Sequence, residues 1–181
     1  MLTTSSLLEE ENNLEGTIPS EISLLSELII WGMERGHLTS TIPTEIGRLT
    51  NLIFIDLDYN DLTGTLSSEL LSLDKLIQLD LNNNRLSGNL DGIGQYPNME
   101  FLQLHDNLFT GTVPDAVGAY TSLSAFTLHE SMITGTMPQS VCDLLASAGN
   151  GGSLTSLIAD CSLPNPNIVC TCCTDCRSPQ S

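Results

Sequence analysis

Apolar residues between positions 62 and 85 recur without a single period: Leu62, Leu66, Leu70, Leu73, Leu76, Leu79 and Leu81. One helix would repeat them at i, i+3, i+4 and i+7, and one strand would alternate them. This stretch opens as a loose turn and takes helix-like spacing through Leu70 and Leu73. It then alternates at Leu79, Asp80 and Leu81. The pattern predicts three short elements joined by turns.

Laying the chain against itself explains the mixture. A Leu-x-Gly element returns at Leu14, Leu38, Leu62, Leu86, Phe109 and Ile133, in steps of 24, 24, 24, 23 and 24 residues. Two residues later stand Gly16, Ser40, Gly64, Gly88, Gly111 and Gly135. Two further on come Ile18, Ile42, Leu66, Leu90, Val113 and Met137, followed by Pro19, Pro43, Pro114 and Pro138 in four coils. Upstream, one column holds Asn12, Gly36, Asn60, Asn84, Asn107 and Ser131. A period this regular over six turns predicts a solenoid.

Each column has a physical reason. Leu52, Ile55 and Leu57 point inward from a short strand, and Asn60 stands where the chain turns. Stacked asparagines can bond backbone groups that the turn leaves unpaired. Glycine permits close backbone approach on the second side of the coil. Proline removes a donor and stops that strand. The segment "SELLSLDKL" then supplies one or two helical turns, with Leu70 and Leu73 inward.

Charge narrows the partners. With 22 acids against five bases, the net charge is −17. Such a surface repels phosphate backbones and anionic lipid, so nucleic acid is not expected as a partner. No run of 18 apolar residues occurs, so the chain carries no expected membrane-spanning helix. No catalytic motif such as G-x-S-x-G, H-E-x-x-H or a P-loop appears, and the expectation is a non-enzyme.

The consensus L-x-x-L-x-L-x-x-N-x-L-x-G-x-I-P resembles the plant-type leucine-rich repeat of receptor-like kinase ectodomains and related secreted proteins, over roughly residues 2 to 140. The resemblance implies an α/β repeat solenoid: a right-handed superhelix with a concave parallel sheet that binds peptides, small ligands or proteins. Departures are Trp31 and Met33 in leucine columns, Gly36 for Asn, Ser40 for Gly, and Ser67 and Asp91 where proline is missing. The expected divisions are a truncated first repeat (1–13), repeats of about 24 residues (14–139), and an irregular last repeat with a cysteine-rich cap (140–181). Glu9 occupies a leucine column, and no paired-cysteine helical cap precedes it. The start therefore reads as that of a fragment or of a mis-started gene. Its uncapped end is an expected surface for a dimer or a co-receptor.

All six cysteines, Cys142, Cys161, Cys170, Cys172, Cys173 and Cys176, fall at the other end. The tail resembles that of secreted diatom proteins of the same repeat class, and the family comparison implies a disulfide-rich cap closing the core. The rival is a thiolate metal site, since C-x-C-C-x-x-C has metallothionein-like spacing. Oxidised cysteines imply an extracellular or cell-surface location. No pairing among the six follows from the sequence.

Candidate binding residues come from the outward columns of the concave strands. Asp56, Asp80 and Gln103 share one column. Asp58, Asn82, His105 and His129 share the next, flanked by Tyr59 on one side and by Phe54 and Phe101 on the other. Adjacent carboxylates about 4.8 Å apart favour a basic peptide end or a cation, with the aromatics as anchors. His105 and His129, beside Asp106 and Glu130, have donor types that suit zinc or copper. The expectation nevertheless stays with peptide or protein recognition, with no metal or cofactor assigned. The alternative is a structural or ice-binding solenoid. It would use a ladder of Thr39 and Thr41, Thr63 and Thr65, Thr110 and Thr112, and Thr134 and Thr136, whose residues point outward beside the glycine column.

Overall fold

The computed structural model describes residues 5–8, 14–93, 96–149, 151–162, 164 and 166–178. Most of the expected first coil, including Glu9 and Asn12, lies outside the described residues. Eight strands form one all-parallel sheet in chain order: Ser6–Leu8, Ile30–Gly32, Phe54–Asp56, Gln78–Asp80, Phe101–Gln103, Ala125–Thr127, Ser156–Ala159 and Asp175–Cys176. A second sheet stacks Glu15–Thr17, His37–Thr41, Asp61–Thr65, Arg85–Gly88, Leu108–Gly111 and Met132–Ile133. The third side consists of single turns: 3-10 helices Ser20–Leu24, Thr44–Arg48 and Asp115–Ala119, and α-helical turns Ser68–Leu71 and Gln139–Cys142. The result is a leucine-rich-repeat solenoid.

The mixed apolar period is now accounted for. Trp31, Ile55, Leu79, Leu102, Phe126 and Leu157 stack in register across the long sheet, all fully buried. From the third side Ile46, Leu70, Val117 and Val141 close the core. Pro19, Pro43 and Pro114 each precede a 3-10 turn in extended conformation. Where proline is replaced, the Ser67 hydroxyl accepts from the Leu70 N–H (3.2 Å) and caps an α-helical turn. Length differences fall on this third side. The 23-residue coil is one residue short between Gly88 and Phe101, and the last coil carries seven extra residues between Gly135 and Ser156.

Asparagines at the turn tie the coils together. Asn84 accepts from the Leu62 N–H one coil back and donates to the carbonyls of Leu57, Leu81 and Asn82. Asn60 and Asn107 repeat the pattern. Each such side chain satisfies one donor and three acceptors that the turn would otherwise leave unpaired.

At the C-terminal end Cys142 pairs with Cys172, Cys161 with Cys176, and Cys170 with Cys173. The Asp175–Cys176 strand adds to the long sheet, and Ile168–Val169 pairs with Gly135–Thr136. Together they cover Leu144, Leu154, Leu157 and Ile168, which are at most 7% exposed. The thiolate-metal alternative has no free thiol to support it among these cysteines.

Candidate ligand-binding face

Parallel pairing aligns the outward columns of the long sheet. Gly32, Asp56, Asp80, Gln103, Thr127 and Ile158 are consecutive register partners. Two residues on, the strand-to-turn segments place Glu34, Asp58, Asn82, His105 and His129 beside them. The residues that follow, Arg35, Tyr59, Asn83, Asp106 and Glu130, all have positive φ, between 49° and 55°. This left-handed step lets each coil leave the strand and turn. It costs a non-glycine residue about 1–2 kcal/mol, least for Asn and Asp. Sequence reading missed the strain because only Asn83 and Asp106 are types that advertise it.

The N-terminal half of this face is crowded with carboxyls. A ligand oxygen from each of Glu34, Asp56 and Asp58 falls within 4.8 Å of the others. Asp80 is 5% exposed; Gln103 and Asn82 donate side-chain amides to its two oxygens. Burial, reinforced by the charge of Asp56, pushes its pKa up to about 7 against a backbone hydrogen bond from Asn82. Asp58 is pushed up to about 6 by burial and then by the charges of Asp56 and Glu34, with Arg35 pulling the other way. Its Oδ1 is buried without a hydrogen-bond partner among the described residues. Asp58, Asp80 and Asn82 are thus largely covered, whereas Tyr59 (51% exposed) and Phe101 (36%) project. The Arg35 guanidinium lies over the Tyr59 ring, 5.7 Å from its centre.

Beside the carboxyls lies a depression of about 280 Å³, whose apolar walls include Leu8, Ile30, Trp31 and Phe54 and whose rim holds Glu34 and Asp56. It opens because Gly32 occupies a column in which the next coils carry Asp56 and Asp80. A Cβ there would stand 3.0 Å from Leu8 Cδ2. The lone glycine in that column was the signal available in the sequence.

The C-terminal half carries the histidines. His105 and His129 stack with ring centres 4.4 Å apart and planes 11° from parallel. His105 Nδ1 shares a 2.8 Å hydrogen bond with Thr127 Oγ1. The equivalent position beside His129 is Ile158, which offers no hydroxyl, and His129 Nδ1 is buried without a partner among the described residues. Burial, then the charge of His129, holds His105 down at about 4. Burial also lowers His129, against the pull of Glu130 and Asp160. Burial and a hydrogen bond with Glu130 push Asp106 up. Asp160, next in the histidine column, is fully buried and accepts from the N–H groups of Glu130 and Ser131.

All eight ladder threonines are exposed; Thr39, Thr41, Thr63, Thr65 and Thr110 lie on the second sheet, and Thr136 on the short pair with Ile168–Val169. Their spacing has a stacking explanation. Thr39, Thr110 and Thr134 donate their hydroxyls to the carbonyls of Gly16, Gly88 and Gly111 one coil back, and Ser87 does the same to Gly64. The γ-methyls of Thr41 and Thr65 lie 2.7 and 2.8 Å from where a Cβ on Gly64 and Gly88 would stand, and Thr112 is similarly placed beneath Gly135. One threonine thus caps the glycine behind it and the other fills the space that the glycine ahead leaves open.

The Leucine Rich Repeat family model matches residues 75–95. No curated protein matches the chain. Among solved structures, the plant peptide hormone receptor RGFR1 in complex with RGF2 is 27% identical over 85% of this chain and 27% of its own, with a TM-score of 0.78. The ectodomain of the receptor kinase SOBIR1 from Arabidopsis thaliana is 31% identical over 70% of each chain, with a TM-score of 0.68. A plant ice-binding protein, 20% identical over 97% of this chain and 75% of its own with a TM-score of 0.63, shares the fold. The chain spans only 18–27% of the length of the first structures it matches.

Proposed function

The chain belongs to the leucine-rich-repeat family, and on that premise we propose that it is a non-catalytic recognition module, outside the cell or at its surface, that binds a peptide or protein of basic character through the outer face of the long sheet. The observation that carries this reading is the set of carboxyls Glu34, Asp56, Asp58 and Asp80 gathered beside an apolar depression. Like charges this close raise one another's pKa, and an incoming cation relieves the repulsion. A residue with an apolar stem and a cationic head fits such a place: the stem against Ile30 and Phe54, the head against Glu34 and Asp56. Tyr59 and Phe101 offer further anchoring surface, with Gln103 and the histidines for polar contacts. The three disulfides suit an oxidising compartment. That the solved relatives include a peptide hormone receptor complex supports the same reading.

The threonine ladder supports the ice-binding alternative less well. Six of its eight threonines serve the stacking of the coils through a hydroxyl or a methyl, a role that needs no ligand.

A peptide array of basic, neutral and acidic sequences tests the proposal. Basic peptides with a neighbouring apolar residue should be retained, and Asp56→Lys should abolish retention. Because Asp80 is buried, Asp56→Asn with Asp80→Asn serves as the second variant, removing charge without adding bulk. Thermal hysteresis should be unaffected by either. Equal retention of acidic peptides, or unchanged binding in both variants, would refute the assignment.

A further inference from the structure

We infer that His105, His129 and Asp106 form a binding site for one divalent ion of the zinc and copper(II) class. A ring nitrogen of each histidine and a carboxylate oxygen of Asp106 already lie within 4.8 Å of one another. Donors around zinc, with bonds of about 2.0–2.1 Å, stand about 3.4 Å apart. Side-chain shifts on the order of 1 Å, the scale set by those bond lengths, therefore close the set onto an ion. All three side chains are partly exposed and line the sheet surface, which leaves an ion a path from solvent.

The surroundings are those of a ligating histidine pair. A metal-bound imidazole normally donates its second N–H to a fixed acceptor, which sets the tautomer and the ring plane. Thr127 Oγ1, 2.8 Å from His105 Nδ1, is placed for that role, so that Nε2 faces the ion. His129 is held by ring stacking, and its buried Nδ1 has no partner among the described residues. Two imidazoles and one carboxylate suit zinc, copper(II) and nickel, whereas calcium prefers an all-oxygen shell. The net charge of −17 draws cations toward the surface. The six cysteines, paired in disulfides, offer no competing thiolate. The inference goes beyond peptide recognition and does not depend on it, since the carboxyl cluster belongs to earlier coils.

The test uses the chelator-stripped full chain with its disulfides intact, titrated with zinc chloride in a calorimeter. One equivalent should bind, and excess calcium should not displace it. His105→Gln and His129→Gln should each weaken binding at least about tenfold, and Thr127→Val, which removes only the orienting group, about tenfold. Ser40→Gly, on the second sheet and away from the histidines, should leave it unchanged. Copper(II) added to the wild-type protein should give an electron paramagnetic resonance spectrum with coupling to two imidazole nitrogens. That spectrum decides the matter even if a glutamine variant fails to fold. An oxygen-only spectrum, no stoichiometric zinc uptake, or equal affinity in folded His105→Gln and His129→Gln would overturn the inference.

Discussion

Asp80→Asn should stabilise the protein at pH 8 and leave it almost unchanged at pH 4. The unfolded carboxyl loses its proton near 3.8, whereas in the folded chain burial and Asp56 hold the proton to about 7. Between those values the folded state binds more protons than the unfolded state. Stability therefore falls as pH rises through the window, and the penalty is complete above it. At 1.36 kcal/mol per unit the full shift is worth about 4 kcal/mol. The share due to partly exposed Asp56 is screened by salt, which leaves about 2–3 kcal/mol. Asparagine is nearly isosteric and can meet the amides of Gln103 and Asn82 after a flip of one of them. Urea unfolding followed by circular dichroism at steps between pH 4 and pH 8 measures the difference. It should grow with pH and level off above about 7. Asp58, raised in the same direction, leaves a residual slope in the variant. A variant less stable than wild type at pH 8, or a difference independent of pH, would refute the account of the acidic face.

The glycine column gives a pair of opposite outcomes. Ser40 holds φ 71° where other coils have glycine, so Ser40→Gly should stabilise by about 0.5–1 kcal/mol. Gly64→Ala, at φ 85° with Thr41 Cγ2 only 2.7 Å from the new methyl, should cost about 2 kcal/mol or more in the same urea assay. Asn84→Ala strands one N–H and three carbonyls and should lower stability by at least about 3 kcal/mol, read as a drop in melting temperature. Reduction should remove about 2–4 kcal/mol per bridge and uncover Leu144, Leu154 and Leu157. A reduced protein that neither binds a hydrophobic dye nor aggregates would contradict that role for the cap.

The repeat was legible because stacking forces identical environments every 24 residues, so the leucine, asparagine and glycine columns announce themselves. The outward columns were legible for the same reason, and the register found across the long sheet aligns Asp56 with Asp80 as the columns imply. What stayed hidden depends on contacts between different columns. The network that covers Asp80 joins Gln103 from the next coil and Asn82 from two residues on. The orphaned nitrogen of His129 depends on Ile158 standing where the previous coil has Thr127. Disulfide pairing was hidden too, since six cysteines in a tail without repeats leave no column to read. A period reveals what every coil shares; the chemistry of this face lies in what single coils do differently.

The third side, where one coil is short and another long, works as an expansion joint. A residue gained or lost there changes the slack between the second sheet and the next long strand, and both ladders keep their alignment. The same change between Asp56 and Asp61 has no such slack and would turn the outward side chains of Asp61–Thr65 out of their column. The chain can therefore vary along one edge of each coil while its two flat faces remain in step. A loop grafted near Ala146–Ala148 should behave as cargo, leaving the register of the long sheet unaltered.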